Sequence, residues 1–169
     1  MRSFVLILLI LSGSAFADRP YRGGVIATAH PYASDAALSM LNKGGNATDA
    51  AVAAAFVLAV VGEYHSGIAG GGFALVFDQK EKHTYVLDFR EVAPKAASRD
   101  MYLSNGQLVP GLSTDGALSV AVPGAAMGYL QLLKEHGKLK PAVVLAPAIK
   151  LAKEGFWVTP KYAALAKAR

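Results

Sequence analysis

Few side chains in this 169-residue sequence have the type and spacing that catalysis requires. The four histidines are isolated, with no His-x-x-x-His pair, and the sequence contains no cysteine. Zinc-thiolate sites, iron–sulfur clusters, disulfide scaffolds and cysteine nucleophiles are therefore excluded. No Gly-x-Ser-x-Gly nucleophile elbow is present either. We expect no metal site and no cofactor.

The best local candidate for chemistry is the string Asp88-Phe89-Arg90-Glu91, in which two acids flank an arginine after an apolar run. Arginine presents a planar fork that binds a carboxylate through two hydrogen bonds, and it stays charged at any working pH. Two interpretations follow: Arg90 binds an anionic ligand, or it forms a structural ion pair with Asp88 or Glu91. From these four residues alone the structural ion pair is favoured, because such pairs also arise without function.

A second candidate is the segment Ser66–Gly72, which holds four glycines in seven residues. A phosphate-binding loop should open a helix and carry Gly-Lys-Ser/Thr or the dinucleotide fingerprint. Here a β pattern follows instead. We therefore expect a backbone role for these glycines, which allow close approach and positive φ.

The elements around these motifs alternate in type, which indicates an α/β (α+β) fold. The apolar runs Phe73–Asp78 and His83–Phe89, joined by a polar turn, predict a β-hairpin. The apolar segment Ala47–Val61 predicts a buried helix, with Asn46 as its N-cap and Asp49 three residues on. Asn46-Ala47-Thr48 also matches a glycosylation sequon, but the capping interpretation is favoured.

The remaining patterns are shorter. The segment Gly24–Ala29 predicts a strand, and Ser34 is the expected cap of the helix that follows it and ends at Gly44-Gly45. Residues 95–118 are rich in turn residues. Helices are expected over Ala125–Glu135 and from Pro160 onward, and Pro147 is expected to begin a helix of its own.

Composition limits the class of protein. Hydrophobic residues make up 53% of the sequence and charged residues 17%, below the ~25% usual for soluble domains, so intrinsic disorder is excluded. The net charge is +5, but the basic runs at 134–140 and 161–169 lack interleaved aromatic residues. We interpret both as solvated helix faces and expect no nucleic-acid partner.

The first 17 residues have the features of an export signal: Arg2, the apolar run Phe4–Leu11 and the small-x-small triplet Ala15-Phe16-Ala17. The apolar run is shorter than the ~20 residues that span a bilayer. We expect cleavage after Ala17, a mature chain of residues 18–169 in the periplasm or outside the cell, and no membrane attachment after cleavage.

Taken together, the motifs resemble the N-terminal part of the large subunit of gamma-glutamyltranspeptidases. The resemblance rests on the order and spacing of six strings, Asn46–Ala53, Ser66–Phe73, Asp88–Pro94, Arg99–Tyr102, Val122–Gly124 and Pro147–Phe156. Ala69 stands where the family more often has glycine, and a small residue still fits there.

The resemblance implies an N-terminal-nucleophile hydrolase with an αββα sandwich, present here in part. Such enzymes cleave the γ-glutamyl bond of glutathione and related amides and transfer the glutamyl group to water or amino acids. The nucleophile is a threonine at the start of the small subunit, whose own amine can serve as the base. By motif, Arg90 is the residue that binds the α-carboxylate of the substrate, which reverses the preference for a structural ion pair.

The family's Thr-Thr cleavage site is absent from this sequence. We therefore expect a truncated large subunit with no catalytic residue of its own, inactive without the rest of that subunit and the small subunit. We also expect the isolated chain to be poorly soluble or molten. Two alternatives remain: a related amidase of the acylase or poly-γ-glutamate type, and a non-catalytic remnant.

Overall fold

The computed structural model describes residues 23–168. The expected export signal lies outside these residues. Five α-helices, two short antiparallel hairpins and one 3-10 turn (Ala117–Ser119) follow in order: α1 Pro31–Asn42, α2 Ala47–Val61, β1 Phe73–Asp78, β2 His83–Asp88, β3 Leu103–Ser104, β4 Gln107–Leu108, α3 Ala125–His136, α4 Pro141–Glu154 and α5 Pro160–Lys167.

The helix α2 is the centre of the core. Its apolar residues face every direction, so it needs neighbours on several sides, and α1, α3 and α4 all pack against it. Val52 and Val57 of α2 are fully buried, together with Met40 of α1 and Val144 of α4. The predicted bounds of this helix are confirmed.

The predicted cap of α2 is also confirmed. The Asn46 side chain accepts a hydrogen bond from the Asp49 backbone nitrogen at 3.1 Å, and the Asp49 carboxylate accepts one from the Asn46 nitrogen at 2.8 Å. This reciprocal pair is a capping box, which satisfies two backbone donors that would otherwise lack partners at the helix start. Asn46 therefore has a structural role, as the capping interpretation predicted.

The predictions for the first elements were wrong in two respects. Residues 24–29 form no strand, because they pair with no other strand within residues 23–168. The N-cap of α1 is His30 and not Ser34, since Pro31 begins the helix and Tyr32 donates its backbone N–H to the His30 ring. The Ser34 hydroxyl pairs with the Thr28 hydroxyl at 2.8 Å instead.

The prediction that Pro147 begins a helix was wrong as well. It lies inside α4, which runs without a break from Pro141 to Glu154. Proline removes one helical hydrogen bond and disfavours the helix interior. Val144 and Ala148 on either side of it are buried against the core, and this packing outweighs the local preference.

The hairpin β1–β2 is confirmed, with Phe73 opposite Asp88 and Asp78 opposite His83. Its two faces differ sharply. Ala74, Val76 and Leu87 pack on the core from one face. The other face presents large apolar side chains to solvent, namely Phe73 (56% exposed), Leu75 (73%), Phe77 (59%) and Val86 (66%).

The segment 95–118 is irregular as predicted, apart from the small hairpin β3–β4. Asn105 and Gly106 form its turn, and both have positive φ, at 52° and 77°. Two successive residues of this kind are typical of a type I′ hairpin turn. The helices α3 and α5 lie where the sequence predicted them.

Candidate functional site

Arg90 lies just past the end of β2, and the strand's last residue fixes its backbone. The Asp88 carboxylate accepts a hydrogen bond from the Arg90 backbone nitrogen at 2.9 Å. The Arg90 side chain itself is exposed. The arrangement therefore restrains the main chain of Arg90 and leaves the guanidinium in contact with solvent.

The structural ion pair that the four residues alone favoured does not form. Within the described part of the chain, two contacts between a basic and an acidic side chain lie within 4.0 Å, Glu135–His136 and Lys150–Glu154, and neither involves Arg90. Asp88 is instead occupied by the backbone hydrogen bond. The Arg90 guanidinium thus keeps its donors available for an anion.

Five glycines from two distant parts of the sequence pack against residues 89–91, two of them against the backbone and three against side chains. We call this group the glycine slot; its members are Gly70, Gly71, Gly72, Gly124 and Gly128. A Cβ atom on Gly71 would lie 2.7 Å from the Phe89 carbonyl oxygen and 2.8 Å from the Arg90 Cα. A Cβ atom on Gly124 would lie even closer to the Phe89 carbonyl. No residue with a side chain fits at either position unless the backbone moves.

Hydrogen bonds tie the walls of the slot together. The Phe89 nitrogen donates to the Gly72 carbonyl at 3.0 Å. The Gly124 and Ala125 nitrogens, at the start of α3, both donate to the Gly70 carbonyl, at 3.0 and 2.9 Å. The glycine-rich loop, the β2 end and the α3 start therefore form one connected unit.

The Phe89 side chain anchors this unit to the core. Its ring contacts Gly72 and Gly128, and it packs edge-on against Tyr129 with ring centroids 5.4 Å apart. Tyr129 in turn packs against Phe56 of α2 at 5.3 Å. Burial raises the pKa of Tyr129, which keeps this neighbour of Phe89 neutral at ordinary pH.

The contacts of Gly70 to Gly72 agree with the backbone role that the sequence predicts for the Ser66–Gly72 segment. The sequence pattern did not predict that Gly124 and Gly128 pack against the same residues as Gly70 to Gly72. Gly128 carried a signal, since glycine in a helix interior costs about 1 kcal/mol relative to alanine and needs a packing reason. Its contact with Phe89 supplies that reason.

The described residues hold no group of three His, Cys, Asp or Glu side chains arranged to bind a metal ion. Over the same range, no helix has both the length and the apolar character needed to cross a bilayer.

Comparison with known proteins gives consistent results. The family description "Gamma-glutamyltranspeptidase" matches residues 33–169. The chain belongs to this family. It is 45% identical over 151 residues to the glutathione hydrolase proenzyme of Pseudomonas aeruginosa, an alignment that covers 89% of this chain and 27% of the relative.

Solved structures of family members are similar to the chain. The Helicobacter pylori gamma-glutamyltranspeptidase has a TM-score of 0.84 and 40% identity, over 89% of this chain and 43% of that one. A cephalosporin acylase from Bacillus halodurans has a TM-score of 0.75 and 34% identity, over 94% of this chain and 30% of that one. The family fold is that of the N-terminal-nucleophile hydrolases, and this chain holds part of it.

The chain spans about a quarter of the length of the curated gamma-glutamyltranspeptidase relatives it matches. None of its five threonines adjoins another threonine, so the Thr-Thr pair expected at the family's cleavage site is absent from this sequence. Thr28 bonds the His30 carbonyl, Thr48 is buried in α2, and Thr159 caps α5. Thr84 lies within β2, and Thr114 bonds Gly111 and Asp115 in a loop.

Proposed function

We propose that this chain is the N-terminal portion, residues 18–169, of the large subunit of a glutathione hydrolase and gamma-glutamyltransferase. In that role Arg90 binds the α-carboxylate of glutathione or another γ-glutamyl donor. The threonine nucleophile comes from sequence outside this chain, as do the remaining glutamyl-binding groups. No residue of the chain is assigned a covalent step.

The state of Arg90 is the observation that carries this proposal. Its backbone is fixed, its guanidinium is exposed, and no carboxylate of the described residues neutralises it. A structural arginine of this kind would ordinarily have a partner within the chain. A bidentate bond to a carboxylate is the interaction for which a free planar fork is best suited.

The outward face of the β1–β2 hairpin supports the need for partner polypeptide. Phe73, Leu75 and Phe77 alternate along one strand, and Val86 stands opposite Leu75. A contiguous apolar sheet face of this kind marks an interaction site or an aggregation hazard. We assign it to the rest of the large subunit and the small subunit of the same enzyme.

A hybrid enzyme tests the role of Arg90. In it, residues 23–168 of this chain replace the matching region of the Pseudomonas aeruginosa proenzyme, and activity is followed with γ-glutamyl-p-nitroanilide. We expect Arg90→Ala to lower kcat/KM about 100-fold, since hydrogen bonds to charged groups contribute about 1.5–3 kcal/mol each. Arg90→Lys keeps the charge but loses the fork, so its activity should lie between the two.

Arg99→Ala is the matched control, because Arg99 is the other arginine among the described residues and lies in the irregular segment after the site. It should retain the activity of the parent hybrid. Full activity of Arg90→Ala would contradict the proposal. Residues 18–169 alone should release no p-nitroaniline, and Arg90-dependent release by that chain would show that a nucleophile is present after all.

The same assay separates the two alternatives. The structural similarity to a cephalosporin acylase is the reason to test for a related amidase. An amidase that acts on another acyl group would cleave a donor without the α-carboxylate at the same rate as the γ-glutamyl donor. Its activity would be the same in Arg90→Ala as in the parent hybrid. A non-catalytic remnant would give a hybrid that fails to fold or to cleave itself.

We further propose export of the chain to the periplasm or the exterior, with removal of residues 1–17. The support is the sequence pattern of the segment, with Arg2, the apolar run and the Ala15-Phe16-Ala17 triplet. N-terminal sequencing of exported material should begin at Asp18. Exported material that begins at Met1 would refute this.

A further inference from the structure

The contacts around Arg90 restrain its backbone from three directions. Asp88 accepts the hydrogen bond of its nitrogen. Gly71 packs against its Cα. Phe89, its neighbour in the chain, is enclosed by Gly72, Gly128 and Tyr129. An exposed arginine held only for its charge would need none of these restraints.

The glycines of this region differ in how closely they approach the site, which provides a graded series. A Cβ at Gly71 would come within 2.8 Å of three backbone atoms of residues 89–91. A Cβ at Gly72 would come to 3.1 Å from the Phe89 ring, a milder conflict with a side chain. A Cβ at Gly67, in the same loop, would meet nothing closer than 3.9 Å.

We infer that the glycine slot is a positioning device: it sets the place and direction of the Arg90 guanidinium for the donor α-carboxylate, and Gly71 and Gly72 are positioning residues. This inference rests on the proposed function of Arg90. The slot glycines themselves touch no substrate and act through the backbone they enclose.

The geometry of a bidentate bond and the flexibility of arginine explain why Arg90 would need to be positioned. A bidentate bond requires the plane of the guanidinium to match the plane of the carboxylate, so its strength depends on direction as well as distance. Arginine has many rotamers, and fixing its Cα and the entry of its side chain lowers the entropy lost on binding.

The test uses the hybrid enzyme and two donors that differ in one group. The first is γ-glutamyl-p-nitroanilide, and the second is 4-aminobutyryl-p-nitroanilide, the same donor without its α-carboxylate. We expect Gly71→Ala to raise KM for the first donor by about 10- to 100-fold with little change in kcat, as expected when ground-state and transition-state binding are lost equally. Turnover of the second donor should not change.

Gly72→Ala should show the same pattern with a smaller rise in KM. Gly67→Ala is the matched control, with the same substitution in the same loop but open space around it, and should behave as the parent. If Gly71→Ala fails to fold, Gly72→Ala carries the test alone. Self-cleavage of the precursor and the thermal melt report folding for every variant.

An equal loss of activity toward both donors would overturn the inference, because it would show a merely structural role for the slot. Unchanged KM for γ-glutamyl-p-nitroanilide in both glycine variants, with activity lost in Arg90→Ala, would also overturn it and leave the proposed function intact. Full activity of Arg90→Ala would mean instead that the proposed function itself is wrong.

Discussion

The start of α2 and the end of β2 each hold a charged residue within a tight backbone arrangement, but the two charges are treated in opposite ways. Asp49 is fully buried, and its carboxylate accepts hydrogen bonds from the backbone nitrogens of Asn46, Lys138 and Leu139 at 2.8–3.1 Å. Arg90 has a restrained backbone and an exposed side chain that no described carboxylate neutralises.

This difference separates a charge that holds the fold from one that is available for a ligand. Asp49 joins α2 to the connection between α3 and α4, some 90 residues further along the chain. Backbone nitrogens of the chain donate hydrogen bonds to both oxygens of the Asp49 carboxylate. At Arg90 the described contacts restrain the main chain, and no carboxylate within residues 23–168 pairs with the guanidinium, which is the arrangement expected of a preorganised binding group.

The largest effect on stability is expected from Asp49→Ala. It removes the buried acceptor of three partly buried backbone donors, and we expect a loss on the order of 4 kcal/mol in the free energy of unfolding. Thermal melts of the hybrid enzyme by circular dichroism should show this as a strong fall in Tm. Asp35→Ala, an exposed acid on α1, is the control and should melt like the parent. If the two variants had the same Tm, Asp49 would have no structural role.

A smaller loss is expected from Asn46→Ala. The substitution removes the cap acceptor for Asp49 and the 2.6 Å bond from the Asn46 amide to the His136 carbonyl. Loss of an N-cap costs about 1–2 kcal/mol. The fall in Tm should therefore lie between those of Asp35→Ala and Asp49→Ala. A fall as large as that of Asp49→Ala would mean that the cap, rather than the buried carboxylate, dominates this junction.

Arg90→Ala should leave stability nearly unchanged, within about 0.5 kcal/mol, because exposed side chains without partners contribute little. Its Tm should match that of the parent while its activity falls. This combination is the opposite of the one expected for Asn46→Ala, which should lower Tm. A marked fall in Tm for Arg90→Ala would show that Arg90 holds the fold, and the contrast with Asp49 would no longer stand.

Local chemistry explains which parts of this structure could be predicted from the sequence. The capping box at Asn46 and Asp49 and the apolar length of α2 act within a few residues, and both were found. The hairpin signal from alternating apolar residues was found for the same reason. His30 escaped detection because histidine is an unusual cap, and Pro147 was misjudged because tertiary packing of α4 outweighs its local cost.

The glycine slot illustrates the limit of such reasoning. Gly70 to Gly72 stood out as a cluster, but Gly124 and Gly128 lie more than fifty residues away and read as turn and helix residues. Where two backbones approach closely, each segment contains glycine at the point of contact. Neither segment contains a signal that identifies the other as its partner. Likewise, the residues of Gly24–Ala29 had a strand pattern without a strand to pair with, since pairing depends on another segment.

A third carboxylate, that of Asp78 at the end of β1, shows the contribution of burial. It accepts backbone hydrogen bonds from Lys80 at 2.7 Å and from Glu81 at 3.2 Å, as Asp49 does from its neighbours, but it is less buried than Asp49. The backbone hydrogen bond from Glu81, followed by that from Lys80, lowers the pKa of Asp78 below the ordinary value of 3.8.

Because the folded pKa is lowered, the stabilisation by Asp78 is fully present above pH 3.8 and is lost as the pH falls through the folded value. Asp78→Asn should therefore lower Tm slightly at pH 7, by less than any substitution at Asp49, and this difference from the parent should shrink below pH 3.8. Melts of both proteins between pH 7 and pH 3 measure it. A difference that stays constant over this range would show that the negative charge of Asp78 contributes nothing, and that the turn depends on its side-chain oxygen alone.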